Sequence, residues 1–457
     1  MTPEERLARH RRLREADHRH LWHPFTQMQD WLGEEPIIVD SAEGAWLVDT
    51  LGNRYLDGVS SLWCNVHGHR VPEIDRAVQE QLARVAHTTL LGLASTASIE
   101  CAEELVRVLP RGLTRVFFSD AGATAVEVAL KMAYQHHQLR GDGGRREFVS
   151  IHGGYHGDTI GSVSVGGIDL FHRIFKPLLF PVHQAPQPYC YRCPLAKRPE
   201  SCAMECAGEV EKVFEAHRGK IAALVIEPLM QGADGMIAQP KGYLRRMREI
   251  CDHHGALLVC DEVATGFGRT GTMFAVEQEG VVPDLMTVAK GLSGGYLPLA
   301  ATLATEEIFE SFLGPFESRR TFFHGHTYTG NPLACAAATA SLRLFGEKRV
   351  IDGLPAKIDA LARALEPARA HPHVGEIRQR GLMVGIELVR DRATREEWPY
   401  EARAGHRVIL EARRLGAILR PLGNVVVLMP PLGMTAKELG DLGAIAVRSI
   451  ELATARP

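Results

Sequence analysis

Residues 257–271 read LLVCDEVATGFGRTG. An apolar run ends there on Asp261 and Glu262, and Gly266, Gly268 and Gly271 follow at the spacing G-x-G-x-x-G. Two readings compete. A dinucleotide loop has its first glycine at the end of the strand and a full helix behind its last. Here Asp261 to Thr265 come between, and TMFAVEQEG after Gly271 is short and itself ends in glycine. The other reading rests on the apolar run. A short, continuous apolar stretch next to a helical pattern is how a strand buried on both faces of a parallel sheet reads. GYLRRMREICDHHG (242–255) supplies that helical pattern and its terminal glycine. The strand and its terminal Asp261 therefore carry the meaning, and the glycines serve to turn the backbone and position Arg269.

Working outward, the same alternation recurs. TRVFFS (114–119), EFVSIH (147–152), IAALVIEP (221–228) and DLMTVAK (284–290) read as strands, and AVEVALKMAYQHHQ (125–138) as a helix. Such alternation predicts an α/β fold: a large domain with a mainly parallel sheet and helices on both faces. Ligands of such sheets sit outside the carboxyl ends of the strands. Ser119, Glu227, Asp261 and Lys290 all fall at those ends. Beyond residue 335 the texture changes to an alanine-rich helix, CAAATASLRLFG, and to the strands LMVGIELV (382–389) and NVVVLMPP (424–431). The first 70 residues carry their own hairpin pattern, PIIVDSAEGAWLVDTLGNRYLDG. We expect residues 71–335 to form the large domain, and residues 1–70 and 336–457 to build a smaller α+β domain together. At the start, Thr2, Pro3 and Glu5 form the signature of a capped helix.

The chemistry gathers at the strand ends. A lysine at such an end is often only reaching for water. Lys290, however, is aimed at the edge that holds Asp261, and burial would lower its pKa, as a Schiff-base lysine needs. An aspartate beside it suits a pyridinium nitrogen, the arrangement a pyridoxal 5'-phosphate (PLP) site requires. SDAGATAVEVALKM runs strand, turn, helix; Gly122 allows close approach and the helix start, with Ala123, offers free N–H groups to a phosphate. Tyr155 and His156, in HGGYHGDT, offer flat rings to stack on a cofactor.

Composition excludes other classes. The chain has 457 residues, 45% of them hydrophobic, which is enough for more than one domain. With 52 basic and 55 acidic residues the net charge is −3, so nucleic acid is not an expected partner. No stretch approaches the roughly 18 apolar residues of a membrane span. The charged start, MTPEERLARHRRLREADHRH, has no apolar core of a secretory signal, and nine scattered cysteines suit a reducing, cytoplasmic setting. Four of them cluster: Cys190, Cys193, Cys202 and Cys206. The first pair is C-x-x-C, but the second is spaced differently and the gap between pairs is short. We read a surface insertion with free thiols and expect no metal, with a structural zinc as the alternative.

In this order, SDAGATAVEVALKMA, HGGYHGDT, VIEP, LLVCDEVATGFGRTG, TVAKGLSGGYLP and HGHTYTGNPLACAAA resemble the class III aminotransferases, PLP enzymes of fold type I. The resemblance covers nearly the whole chain. WHPFTQM (22–28), SSLWCNVHGH (60–69) and LRPLGNVVVLMPPL (419–432) are similar to the branch that aminates a keto acid in biotin synthesis. The resemblance implies that Lys290 binds the cofactor aldehyde, Asp261 its ring nitrogen, and Gly122 and Ala123 its phosphate, with Tyr155 stacked on the ring. It implies an obligate homodimer in which Thr327 reaches the phosphate of the other subunit. Glu227 and His156 complete the cofactor surroundings. Trp63 would line the substrate channel beside Phe25 and His326, and Arg420 would bind the substrate carboxylate. Leu62, Phe25 and His326 depart from the adenosylmethionine-using pattern and look more like the branch that takes lysine, so both donors stay open. So do another class III ω-aminotransferase acting on ornithine, 4-aminobutyrate or a diamine, a nicotinamide oxidoreductase using loop 266–271, and a zinc-stapled interaction protein using the 190–206 cysteines.

Overall fold

The computed structural model describes residues 1–455. The first helix, α1 (Pro3–His20), is capped reciprocally: Thr2 Oγ1 accepts from Glu5 N at 3.2 Å, and the Glu5 carboxylate accepts from Thr2 N at 2.7 Å. It is followed by an antiparallel meander of β1 (Val39–Glu43), β2 (Trp46–Asp49) and β3 (Arg54–Asp57). Asp49 builds the second turn, its carboxylate accepting from the backbone N–H groups of Leu51 and Asn53 and from Tyr55 Oη.

The central sheet comprises β4 (Leu113–Ser119), followed by helix α2 (Gly122–Leu139), then β5 (Glu147–Ile151) and β6 (His183–Ala185). Helix α3 (Glu205–Ala216) leads to β7 (Ile221–Ile226), and α4 (Tyr243–His254) leads to β8 (Leu257–Asp261), β9 (Leu285–Val288) and β10 (Ala300–Thr305). The strand order is β4-β10-β9-β8-β7-β5-β6. Neighbours from β9 to β6 run parallel, while β10 is antiparallel to both β9 and β4. Every residue of β7 and β8 is buried, which is why both read as unbroken apolar runs.

Sequence reading passed over β10, AATLAT. Its residues are small because α2 lies close over it: Thr302 Oγ1 donates to the Ala125 carbonyl at 2.7 Å, and Ala300 packs with Ala125 and Ala289. Side-chain bulk, the usual strand signal, is what this contact forbids.

The alanine-rich helix α5 (Pro332–Glu347) is capped by Asn331 and packs on the helices Pro72–Leu82 and Thr96–Val108. Then come β11 (Val374–Arg380), β12 (Met383–Asp391), β13 (Ala417–Ile418), β14 (Arg420–Leu422), β15 (Val425–Leu428) and α6 (Ala436–Thr454). A second sheet has the order β11-β12-β15-β14, and β13 pairs in parallel with β3, joining the two ends of the chain in one sheet. No helix among the described residues is long and apolar enough to cross a membrane.

The glycine run after β8 is followed by turns and a short 3-10 segment, Ala275–Glu279, where a dinucleotide loop would have its helix. Gly268 has φ +85°, and a Cβ there would come within 2.6 Å of Leu432. The turn delivers Arg269 into the interior, where Nη1 donates to the Pro430 carbonyl at 2.6 Å and Nη2 lies 3.4 Å from that of Asn65. Burial lowers the guanidinium pKa to about 10. Arg269 thus stitches the segment behind Trp63 and the segment after β15 to the end of β8.

Candidate active site

A cavity of about 630 Å³ opens at the carboxyl edge of the central sheet, within the usual range for a small-molecule site. Lys290, Asp261, Glu227, Tyr155, His156, Trp63, Gly122 and Ala123 all line it. Asp261 is the last residue of β8 and is 4% exposed. Its Oδ1 accepts from Thr287 Oγ1 at 3.0 Å and from Val263 N at 3.1 Å. Its Oδ2 lies 2.8 Å from His156 Nδ1. A carboxylate can only accept, so the imidazole donates there. Burial pulls the His156 pKa down, but the hydrogen bond and charge of Asp261 act upward and leave it raised. His156, read from sequence as a second stacking ring, is instead the buried partner that orients Asp261.

Lys290 follows β9 with φ +44°, a left-handed conformation that costs a non-glycine residue about 1–3 kcal/mol and concentrates at functional sites. Its Nζ stands 5.2 Å from the centre of the Trp63 ring. Burial lowers its pKa, and the nearby charges of Asp261 and Glu227 offset this only in part. A lysine with a depressed pKa is the form that can act as an amine nucleophile and base. Trp63 sits in a bend where Ser60, Ser61 and Trp63 itself all have positive φ. The Asp57 carboxylate holds that bend by accepting from Val59 N and Ser61 N, and Ser60 Oγ donates to the Met429 carbonyl.

The amino end of α2 forms the opposite wall. The Thr124 side chain caps the helix start, and Gly122 and Ala123 border the cavity. A Cβ on Gly122 would come within 2.7 Å of Val263, so glycine lets the loop behind Asp261 close against the helix start. Asp120 lines the same wall and lies 2.9 Å from His326 Nδ1. Tyr155 donates its backbone N–H to Glu227 Oε1 at 3.0 Å and its hydroxyl to Asp158 at 2.8 Å. Burial, then Asp158, pushes its phenol pKa up.

Phe25 lies farther out, edge-on to Phe171, which in turn meets the Tyr155 ring. Arg420 begins β14 and has no carboxylate partner among the described residues; burial lowers its pKa and Tyr155 opposes this. His326 and Thr327 do not line the cavity of their own chain, and Thr327 is exposed. Sequence reasoning missed Thr287 and Asp57. Thr287 stands opposite Asp261 in the parallel register of β8 and β9, a fact that only the strand pairing supplies.

Glu227 is 5% exposed, with Oε2 accepting from Gly232 N at 2.8 Å. Burial raises its pKa from 4.5 to about 7, against the pull of His156 and two backbone N–H groups. A carboxyl raised on folding contributes stability fully below about 4.5, and that contribution is lost as pH rises through about 7. In the cofactor-free protein, Glu227→Gln should therefore flatten the fall in stability between pH 5 and 8 by about 3 kcal/mol, measured by urea unfolding at each pH. Glu262, raised in the same direction, titrates in both proteins and cancels in the comparison.

The class-III aminotransferase family profile matches residues 28–448. The chain belongs to the class-III aminotransferases. It is 60% identical to the adenosylmethionine-8-amino-7-oxononanoate aminotransferase of Nitratidesulfovibrio vulgaris, over 96% of this chain and 82% of that protein. The crystal structure of the adenosylmethionine-8-amino-7-oxononanoate aminotransferase of Methanocaldococcus jannaschii superposes with a TM-score of 0.92 at 44% identity, covering 96% of this chain and 98% of that one. An omega transaminase from Pseudomonas jessenii, in complex with PMP, superposes with a TM-score of 0.93 at 30% identity over 97% and 98% of the two chains.

As a class-III aminotransferase the protein is a PLP-dependent transferase of fold type I. The residues present fit that cofactor: a buried carboxylate held by three donors, a lysine with a lowered pKa and a helix start share one cavity. The four clustered cysteines of the aminotransferase line a separate cavity of about 220 Å³, and Cys202 Sγ lies 2.9 Å from Glu205 Oε2. All nine cysteines are free.

Proposed function

We propose that this aminotransferase converts 8-amino-7-oxononanoate to 7,8-diaminononanoate, a step of biotin biosynthesis, with S-adenosylmethionine or lysine as amino donor. The observation that carries the reading is the 60% identity, over 96% of the chain, with an enzyme named for that acceptor. A residue outside the cavity lining but near Tyr155 supports it. A half-buried guanidinium without a carboxylate partner, Arg420, matches a substrate that brings its own carboxylate.

PLP, when bound, supplies the aldehyde that takes the amino group from the donor and the ring that accepts electron density while it is passed to the acceptor. Asp261 holds the proton on the ring nitrogen, and His156 and Thr287 hold Asp261. Gly122 and Ala123 would hold the phosphate at the helix start, and Tyr155, its backbone fixed by Glu227, would offer its ring to the cofactor. Lys290 would hold the cofactor through Nζ, and as a neutral amine it would move a proton to and from the donor carbon. Trp63 and Phe25 wall the channel along which the apolar chain of the keto acid lies.

Residues 71–335 are read as the cofactor-binding domain, and 1–70 with 336–457 as the smaller one. We assign the functional unit as a homodimer. Leu91, Phe316 and Phe323 are exposed by 80% or more, as a surface covered by a second copy would be in an isolated chain. Thr327 and His326 would then serve the site of the second copy. Nine free cysteines support a cytoplasmic enzyme.

Arg420→Ala tests the substrate assignment. Loss of a charged, bidentate contact of about 2–3 kcal/mol should raise KM for 8-amino-7-oxononanoate roughly 30- to 150-fold, leaving the donor half-reaction near its wild-type rate. An unchanged KM for the keto acid would remove Arg420 from the site.

A further inference from the structure

At the opposite edge of the central sheet, Glu147, His183 and His217 converge. Glu147 opens β5, His183 opens the neighbouring strand β6, and His217 follows the last residue of α3. Glu147 Oε2 is 2.8 Å from His183 Nε2 and 2.9 Å from His217 Nδ1. The imidazole ring centres are 3.7 Å apart, with the ring planes tilted by 37°. Among the described residues these are the only three histidine, cysteine or acidic side chains whose ligand atoms all lie within 4.8 Å of one another. The four cysteines of 190–206 do not converge in this way.

We propose that Glu147, His183 and His217 form a binding site for a divalent cation of the zinc class. Two imidazole nitrogens and one carboxylate are a known three-ligand set for zinc, leaving a further position for water. Metal–ligand distances of about 2.0–2.2 Å place the ligand atoms of a tetrahedral site about 3.3 Å apart. The present spacing reaches that by an outward shift of about half an ångström. His217 Nδ1 is shielded from solvent and is not aligned for a hydrogen bond with the carboxylate it faces, so its lone pair or proton is poorly served without an ion. Lys220 opposes a cation here, since its charge is felt at Glu147. The side chains are about one-third exposed, at 35%, 30% and 31%, so an ion can enter from solvent without unfolding. Its effect would be mechanical. The ion would tie the three-residue edge strand β6 to β5 and to the end of α3, at the other end of the strands from the PLP cavity.

The test uses the full-length, PLP-loaded enzyme after chelation and dialysis. Zinc chloride is titrated calorimetrically at neutral pH, and cobalt(II) replaces zinc for a visible spectrum. One equivalent per chain should bind, cobalt should give ligand-field bands, and the thermal midpoint should rise. His183→Gln and Glu147→Gln, each checked for an unchanged cofactor absorption band, should weaken binding by about a hundredfold or more. The double variant Cys190→Ser/Cys193→Ser should leave it intact. Absence of one-equivalent binding, its persistence in both site variants, or its loss in the cysteine variant would each overturn the proposal.

Discussion

Lys290→Ala should lose at least about ten-thousandfold in turnover while still binding PLP. In the proposed assignment the lysine does two things that no neighbour can replace: it presents an amine to the cofactor aldehyde and it carries the proton. Tyr155 has its phenol pKa pushed up, and its hydroxyl is committed to Asp158. His156 is turned away toward Asp261. The phosphate and ring contacts proposed for Gly122, Ala123 and Asp261 would remain, so the variant should copurify with PLP or take it up. Its visible band should match free aldehyde instead of the lysine-bound form. The check is absorption spectroscopy beside a discontinuous assay for 7,8-diaminononanoate. A variant within tenfold of wild-type turnover would show that another amine does the work.

Asp261→Asn is expected to be nearly as damaging for a different reason. The change keeps the side-chain shape and leaves Thr287 and Val263 in place, but it removes the charge. Removing one preorganised electrostatic partner from a buried site costs about 2.7–4 kcal/mol of transition-state stabilisation. At about 1.4 kcal/mol per decade, that is a fall of roughly a hundredfold to a thousandfold in turnover. A cofactor methylated on its ring nitrogen carries a permanent positive charge. With that analogue the variant should recover much of the loss, because the proton that Asp261 holds is no longer needed. Failure of the methylated cofactor to help would mean that Asp261 acts through His156 and the packing of the site.

Much of this was readable in the chain because the signals are local. The strand LLVCD announces itself by continuous apolar content, and both of its faces are buried. The helix start at Gly122 follows directly on β4, so a phosphate cradle can be inferred from adjacent residues. Asp261 and Lys290 are separated by one loop and one strand, and the parallel pairing of β8 with β9 brings their ends to one edge. What escaped is non-local or masked by packing. The Thr287 contact depends on register. The task of His156 depends on where the loop after β5 folds back. Strand β10 was hidden by small residues that a helix–sheet contact demands. The convergence of His183 and His217 on Glu147 joins residues from three elements, with nothing in their spacing to mark it.

The central claim is that the cavity at Lys290 aminates 8-amino-7-oxononanoate, and one half-reaction tests it without reference to the donor. Enzyme loaded with pyridoxamine phosphate is mixed with 8-amino-7-oxononanoate alone, and the product and cofactor absorption are followed through a single turnover. The account predicts one equivalent of 7,8-diaminononanoate per site and return of the lysine-bound cofactor band. If this keto acid leaves the spectrum unchanged while another acceptor, such as pyruvate or 2-oxoglutarate, restores the band, the proposed substrate is contradicted.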